Sequence, residues 1–216
     1  MSLLNKVLKL FIVRRRLLEF DYKIRISDLG AGSQFYKNKS VRLSQIVRYS
    51  CSNLIKSLIL SLLAKIKGTR VILELGSCVG LNAIVFSLFN SKAQVISIEG
   101  DSNLYHLANR LSKIFKTENL IFINSDFDKV LYSVLNKYKP DFIFIDGNHR
   151  YEPTLAYFNM ICNLIKNKAI VIIDDIFWNS EMKKAWKKIY CNRIRKKKSF
   201  VKFGIITLKR EKNGKK

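Results

Sequence analysis

The sequence predicts an α/β fold: a mostly parallel sheet between helix layers, preceded by an N-terminal helical extension. Three observations lead there. From residue 70 onward, short β-branched and aromatic runs alternate with amphipathic stretches of 10–15 residues, the rhythm of strand–helix–strand units. The runs are apolar throughout, as in Phe142-Ile-Phe-Ile145 and Ile170-Val-Ile-Ile173, which suits strands covered on both faces. Before residue 68 the apolar positions fall at helical spacing instead. The 216 residues, 48% apolar and 26% charged, suffice for one domain plus an extension and exclude a disordered chain.

Each element follows in turn. Leu3, Leu4, Val7, Leu8 and Phe11 make an amphipathic helix over 3–18, with Lys6, Lys9 and Arg14–Arg16 between or after them. Packing on the domain is favoured for it; weak association of residues 1–20 with an anionic membrane is the alternative. Apolar positions from Val41 to Ile66 predict a second helical stretch, ended by Gly68. Strands are expected at Val71–Leu75, Gln94–Ile98, Leu120–Asn124, Asp141–Ile145 and Ala169–Ile173, with helices at about 80–90, 102–116, 126–138, 152–166 and 179–190. Pro153 suits the first turn of its helix. Ser199–Arg210 reads as two further strands around Phe203-Gly204. The expected organisation is an extension over 1–68, a domain over 69–210 and a disordered basic tail over 211–216.

The net charge of +24 is unevenly spread: residues 1–68 carry +11, residues 69–190 only +3, and residues 191–216 carry +10. Basic flanks would attract nucleic acid or anionic lipid. Lys outnumbers Arg 28 to 12, although Arg is the better bidentate phosphate ligand, so A/T-rich codon usage is the preferred explanation of the charge. No run of about 18 uncharged apolar residues appears, so no membrane span is expected. The opening Met1–Arg16 has lysines in its apolar stretch and no small-residue cleavage site, unlike a signal peptide. Cys51, Cys78, Cys162 and Cys191 form no C-x-x-C pair. They give no support to a disulfide framework or zinc site and fit a reducing cytoplasm.

The acids of the middle region fall at strand ends. Glu74, Glu99, Asp126, Asp146, Asp174 and Asp175 each lie at or just after the C-terminal end of a predicted strand. In a parallel sheet those ends share one edge, where ligands bind. Asp126 could alternatively serve as a helix N-cap. Gly76 and Gly80 flank the first strand-to-helix turn. A dinucleotide fingerprint counted from Gly76 needs glycines at 78 and 81, where Cys78 and Leu81 stand, so that reading fails. Asp28-Leu-Gly-Ala-Gly-Ser33 looks like a nucleotide loop, but residues 29–73 contain no acid to bind a ribose and no apolar strand precedes it. It reads as a loop between the N-terminal helices.

Glu74-x-Gly76-x-x-x-Gly80, followed by Glu99 after the second strand and Asp126 after the third, resembles class I S-adenosylmethionine-dependent methyltransferases. The resemblance covers about residues 70–208 and implies a Rossmann-like, seven-stranded sheet with its last strand antiparallel. It also implies a cofactor set of Glu74, Gly76, Ser77, Gly80, Glu99, Gly100, Ser125, Asp126 and Asp146. Glu99 would accept hydrogen bonds from both ribose hydroxyls, and Asp126 would meet the adenine edge.

The fourth and fifth strands end in Asp146-Gly-Asn-His-Arg-Tyr151 and Asp174-Asp175. Three converging carboxylates repel one another unless a cation joins them, and an all-oxygen set favours Mg²⁺ or Ca²⁺ over zinc. These segments resemble metal-dependent, catechol-type O-methyltransferases and small bacterial relatives with an Asp-Gly-x-His-x-Tyr-like segment. The resemblance implies Asp146, Asp174 and Asp175 as metal ligands and His149 in the place of a lysine base. Asp175 replaces an Asn of that pattern, and Phe177 stands where a polar ring is common. His149, with an unperturbed pKa near 6.5, suits a base at neutral pH; backbone hydrogen bonding is its structural alternative. His106 reads as packing, and Arg150, Tyr151 and Trp178 are candidates for the acceptor pocket. The expected enzyme moves a methyl group from S-adenosylmethionine to a hydroxyl of a small molecule, with Mg²⁺ assisting. The alternatives are an RNA or ribosome-component methyltransferase using the basic flanks, and a non-catalytic partner- or membrane-binding domain.

Overall fold

The computed structural model describes residues 3–20, 22–26 and 40–211. The Asp28–Ser33 segment and residues 212–216 of the expected tail lie outside them. The chain begins with α1 (Leu3–Glu19), an antiparallel pair of short strands β1 (Lys23–Arg25) and β2 (Ser40–Arg42), then α2 (Leu43–Tyr49) and α3 (Leu54–Ile66). Alternation follows: β3 (Val71–Leu75), α4 (Leu81–Phe89), β4 (Gln94–Glu99), α5 (Ser102–Phe115), β5 (Leu120–Asn124), α6 (Phe127–Tyr138), β6 (Phe142–Ile145), α7 (Tyr151–Leu164), β7 (Ala169–Ile173), α8 (Ser180–Lys188), β8 (Ile194–Ser199) and β9 (Gly204–Leu208).

The last seven strands form one sheet in the order β5-β4-β3-β6-β7-β9-β8. Neighbours among β3 to β7 pair in parallel, and β9 runs antiparallel to both β7 and β8. The strand order reverses beside β3, so its carboxyl end and that of β6 flank the crevice where such sheets bind ligands. Period-two alternation divides the core. Leu73, Leu75, Ile143, Ile145 and Val171 pack with residues of α6 and α7 on one face. Ile72, Val95, Phe142, Phe144 and Ile172 pack with Leu60 and Ala64 of α3 and Phe86 of α4 on the other.

The chain differs from expectation in two places, one near each terminus. The stretch from Val41 to Ile66 is not one helix. Val41 belongs to β2, and the chain breaks between α2 and α3 at Ser50-Cys-Ser-Asn53. Short polar side chains here compete for the backbone: Asn53 is extended (φ −67°, ψ 151°) and its side chain accepts the Lys56 amide at 2.7 Å, capping α3. The other end behaves as read, with Gly68 in the left-handed region at φ +64°. At the C-terminus β8, the sixth strand of the seven-stranded sheet in sequence order, spans 194–199, earlier than read, and residues 200–203 form the turn. Its run Arg195–Lys198 hid it; lysines on an edge strand oppose edge-to-edge pairing, which gives those charges a structural use.

Helix α1 packs on the domain. Leu10 is buried, Lys9 donates to the Ile114 carbonyl at 2.6 Å, and Arg14 donates to the carbonyls of Val47 and Ser52 at 3.3 Å each. Leu4, Leu8 and Phe11 stay exposed. Among the described residues no single helix is long and apolar enough to cross a membrane. The cysteines, unpromising by spacing, meet in two pairs: Cys51 and Cys78 have sulfurs 3.2 Å apart, Cys162 and Cys191 2.7 Å.

Candidate active site

A cleft of about 700 Å³ opens over the carboxyl ends of β3, β4, β5, β6 and β7. Its lining includes Gly76 at the centre, Glu99 and Asp126 on the β4–β5 side and Asp146, His149 and Trp178 on the β6–β7 side. Each residue is delivered by a strand end or the loop after it.

The turn after β3 is shaped by backbone demands. Gly76 has φ +102°, and a Cβ there would overlap the Asp146 carbonyl; only glycine lets the loops after β3 and β6 approach so closely. Gly80 has φ +80°, and its missing Cβ makes room for Ala108 of α5 and Phe122 of β5. It does not line the cleft, so its part is packing that seats α4. Glu74 also lies beneath the cleft. It is fully buried and accepts from Asn82 Nδ2 and Ser97 Oγ, at 2.5 Å each. Burial pushes its pKa up to about 7, against the pull of Ser97, Asn82 and the Lys56 charge. Ser77 lines the cleft, its hydroxyl 2.5 Å from that of Ser97.

Glu99 ends β4. One carboxylate oxygen accepts the Cys78 amide at 2.7 Å, the other the Asp101 amide at 2.9 Å. These bonds hold the carboxylate rigidly at the cleft wall while leaving lone pairs free, since an ionised carboxylate has about four acceptor sites. Burial pushes its pKa up to about 7, opposed by the two amides. Gly100 and Ser125 line the cleft beside it, the Ser125 amide donating to the Glu99 carbonyl at 3.0 Å. Asp126 occupies the N-cap position of α6, but its side chain makes no cap bond and pairs with Lys129 at 2.6 Å instead.

Asp146, Asp174 and Asp175 converge at the other end, as the strand-end pattern predicts. A cation does join them, and it comes from the chain. Lys56 of α3 forms an ion pair with Asp174 Oδ2, the two side chains 14% and 3% exposed. Its ammonium also sits 5.7 Å from the centre of the Phe144 ring. Burial works against that charge, but Asp146, Asp174 and Asp175 outweigh it and raise the Lys56 pKa. Ser52 donates to Asp146 Oδ2 at 3.1 Å. Burial, and after it the neighbouring Asp174 charge, push Asp146 well above the usual carboxylate range; the same two causes raise Asp175. Ser52 and Lys56 were missed by the sequence reading, and their only signal was the polar break at Ser50–Asn53 in an apolar stretch.

The residues do not fit the expected Mg²⁺ or Ca²⁺. A divalent ion takes six or more oxygen ligands at about 2.0–2.6 Å. Here an ammonium is engaged with one carboxylate of the set and a hydroxyl with another. Among the described residues no three His, Cys, Asp or Glu side chains are grouped to hold a metal ion. His149 stands 3.9 Å (Nε2) from Asp146 Oδ1, with its ring 5.5 Å from that of Trp178, while Asn179 donates to its carbonyl at 3.1 Å. Arg150 and Tyr151 open α7 and do not line the cleft; Trp178 does.

Residues 73–176 match the family model described as a methyltransferase domain. With the sheet order and the cleft at its switch point, this gives the chain a Rossmann-like α/β fold with a stretch similar to a methyltransferase domain. Solved structures share that fold. The cofactor-bound Rv0187 from MTB aligns with a TM-score of 0.70 at 14% identity, over 94% of this chain and 91% of its own. The O-methyltransferase from Bacillus cereus in complex with S-adenosylhomocysteine gives 0.66 at 16% identity, over 95% and 91%. The O-methyltransferase TomG from Streptomyces achromogenes, involved in tomaymycin synthesis and bound to S-adenosylmethionine, gives 0.66 at 14% identity, over 76% and 86%. No curated protein matches the sequence.

Proposed function

We propose that the chain transfers the methyl group of S-adenosylmethionine to a hydroxyl oxygen of a small molecule in the cytoplasm. The observation that carries this reading is the pairing of two unlike ends in one cleft. A rigid carboxylate, Glu99, faces the glycine turn, and a carboxylate cluster with His149 lies at the other end. Glu99 accepts the two ribose hydroxyls, Gly76, Ser77 and Gly100 pass the backbone close to the nucleoside, and Ser125 and Asp126 border the adenine. Glu74 and Gly80 support the turn from below. The division into an extension over 1–68, a catalytic domain over 69–210 and a tail over 211–216 belongs to the same reading. The extension supplies Ser52 and Lys56.

In the reaction the acceptor oxygen attacks the methyl carbon in line with the departing sulfur. A C–O bond forms, the C–S bond breaks with its electron pair returning to sulfur, and S-adenosylhomocysteine leaves. The sulfonium is already activated, so holding the two substrates in line supplies much of the rate. His149 takes the hydroxyl proton, and the Asp146 carboxylate near its ring stabilises the imidazolium. No step is routed through a metal ion. Isothermal titration with S-adenosylhomocysteine tests the reading: micromolar binding is expected for the wild type and its loss for Glu99→Ala. No heat for the wild type, or equal heat for the variant, would sink it.

A further inference from the structure

We propose that Lys56 is the resident cation of the reacting end, holding with its ammonium the place among Asp146, Asp174 and Asp175 that a divalent ion would otherwise take. The proposal rests on the methyl-transfer reading for its chemical meaning, but its geometry stands apart from that reading. Lys56 is not a surface lysine folded inward. Asn53 caps the first turn of α3, and Leu60, Ser61 and Ala64 bury the helix, with the Ser61 hydroxyl donating to the Val85 carbonyl at 3.4 Å. The side chain enters the cleft wall from a fixed helix and ends on Asp174 Oδ2, beside Phe144. Asp174 is among the most buried acids of the chain, and a buried carboxylate needs a fixed partner.

The contribution of Lys56 is electrostatic. Three acids at one rim would repel an acceptor oxygen as it gains negative charge. A permanent ammonium inside the cluster reduces that repulsion without coordination or exchange, and a fixed charge needs no reorganisation during reaction. The same ammonium repels a second cation from the same carboxylates. Lys56 thus supplies the counter-charge of the cluster from within the chain.

Binding of Mn²⁺, followed by the loss of its free-ion electron paramagnetic resonance signal, tests this on the full chain. The wild type is expected to bind no Mn²⁺ below millimolar concentration. Lys56→Met, which keeps an unbranched side chain one atom shorter and removes its charge, is expected to bind at least tenfold more tightly. Lys56→Arg is expected to restore exclusion, a rescue that loss of packing would not give. Tight Mn²⁺ binding by the wild type overturns the proposal whether or not the variants fold. Lys56→Met binding no more tightly than wild type, while folded by circular dichroism, also overturns it. S-adenosylhomocysteine titration of the same wild-type sample separates the two readings, because failure there leaves the Mn²⁺ result standing.

Discussion

The two ends of the cleft handle buried carboxylates differently. At the nucleoside end, Glu99 is held by the amides of Cys78 and Asp101, groups on the turn and loop at its own sheet edge. At the reacting end, Asp146 and Asp174 are matched by Ser52 and Lys56, which lie 94 and 118 residues away in sequence. The first end needs only the order of strands and turns. The second needs the N-terminal helices docked on the sheet. The difference teaches that the reacting end is the more sensitive to the packing of α3 and the nucleoside end to backbone geometry.

Measurements can challenge this division, and the largest effect is expected at the reacting end. His149→Ala should lower the methyl-transfer rate about 10²–10⁴-fold, the usual worth of a positioned proton acceptor, with S-adenosylhomocysteine affinity unchanged; equal loss of both would place His149 at the wrong end. Glu99→Ala should weaken S-adenosylhomocysteine by about 100-fold, because two charge-assisted hydrogen bonds at roughly 1.5 kcal/mol or more each are lost. Gly76→Ala should cost about 3 kcal/mol in urea unfolding, combining left-handed strain with overlap of the Asp146 carbonyl. An unchanged midpoint would mean that the turn tolerates a side chain.

Two pH effects complete the comparison, the first similar in size to the Gly76 effect. Glu74 and Glu99 both have pKa values raised to about 7 in the fold, above the ordinary 4.5. Such a group favours the native state at low pH, and the favour is lost as pH rises from about 4.5 through 7. For the fully buried Glu74 this amounts to about 3 kcal/mol. Glu74→Gln should therefore flatten the fall in melting temperature between pH 5 and pH 8; an unaltered slope assigns it elsewhere. Because the ionised form of Glu99 is the better acceptor for ribose hydroxyls, S-adenosylhomocysteine affinity should rise up to about tenfold from pH 6 to pH 8. That dependence should vanish in Glu99→Gln.

Much of the sheet was legible because the strands from 71 to 173 are short, mostly β-branched or aromatic runs with a turn after each, interrupted inside only by Glu74 and Ser97. The gathering of Glu99, Asp126, Asp146, Asp174 and Asp175 at one edge followed from parallel topology alone. What stayed hidden was of two kinds. Strand β8 carries Arg195–Lys198 because it is an edge, so its composition imitates a loop. Lys56 and Ser52 sit in a stretch whose apolar spacing reads as continuous helix, and nothing local distinguishes a lysine aimed into a cleft from one in solvent. The same holds for the charge balance of the cluster: the acids were visible and the Lys56 counter-charge was not.

The kink at Ser50–Asn53 has a consequence for where the working unit starts. The stretch that matches the methyltransferase model runs from residue 73 to residue 176, so a fragment trimmed to it would keep every acid of the cleft and discard α3, whose Lys56 pairs with Asp174. Such a piece would leave Asp174 buried without its cationic partner.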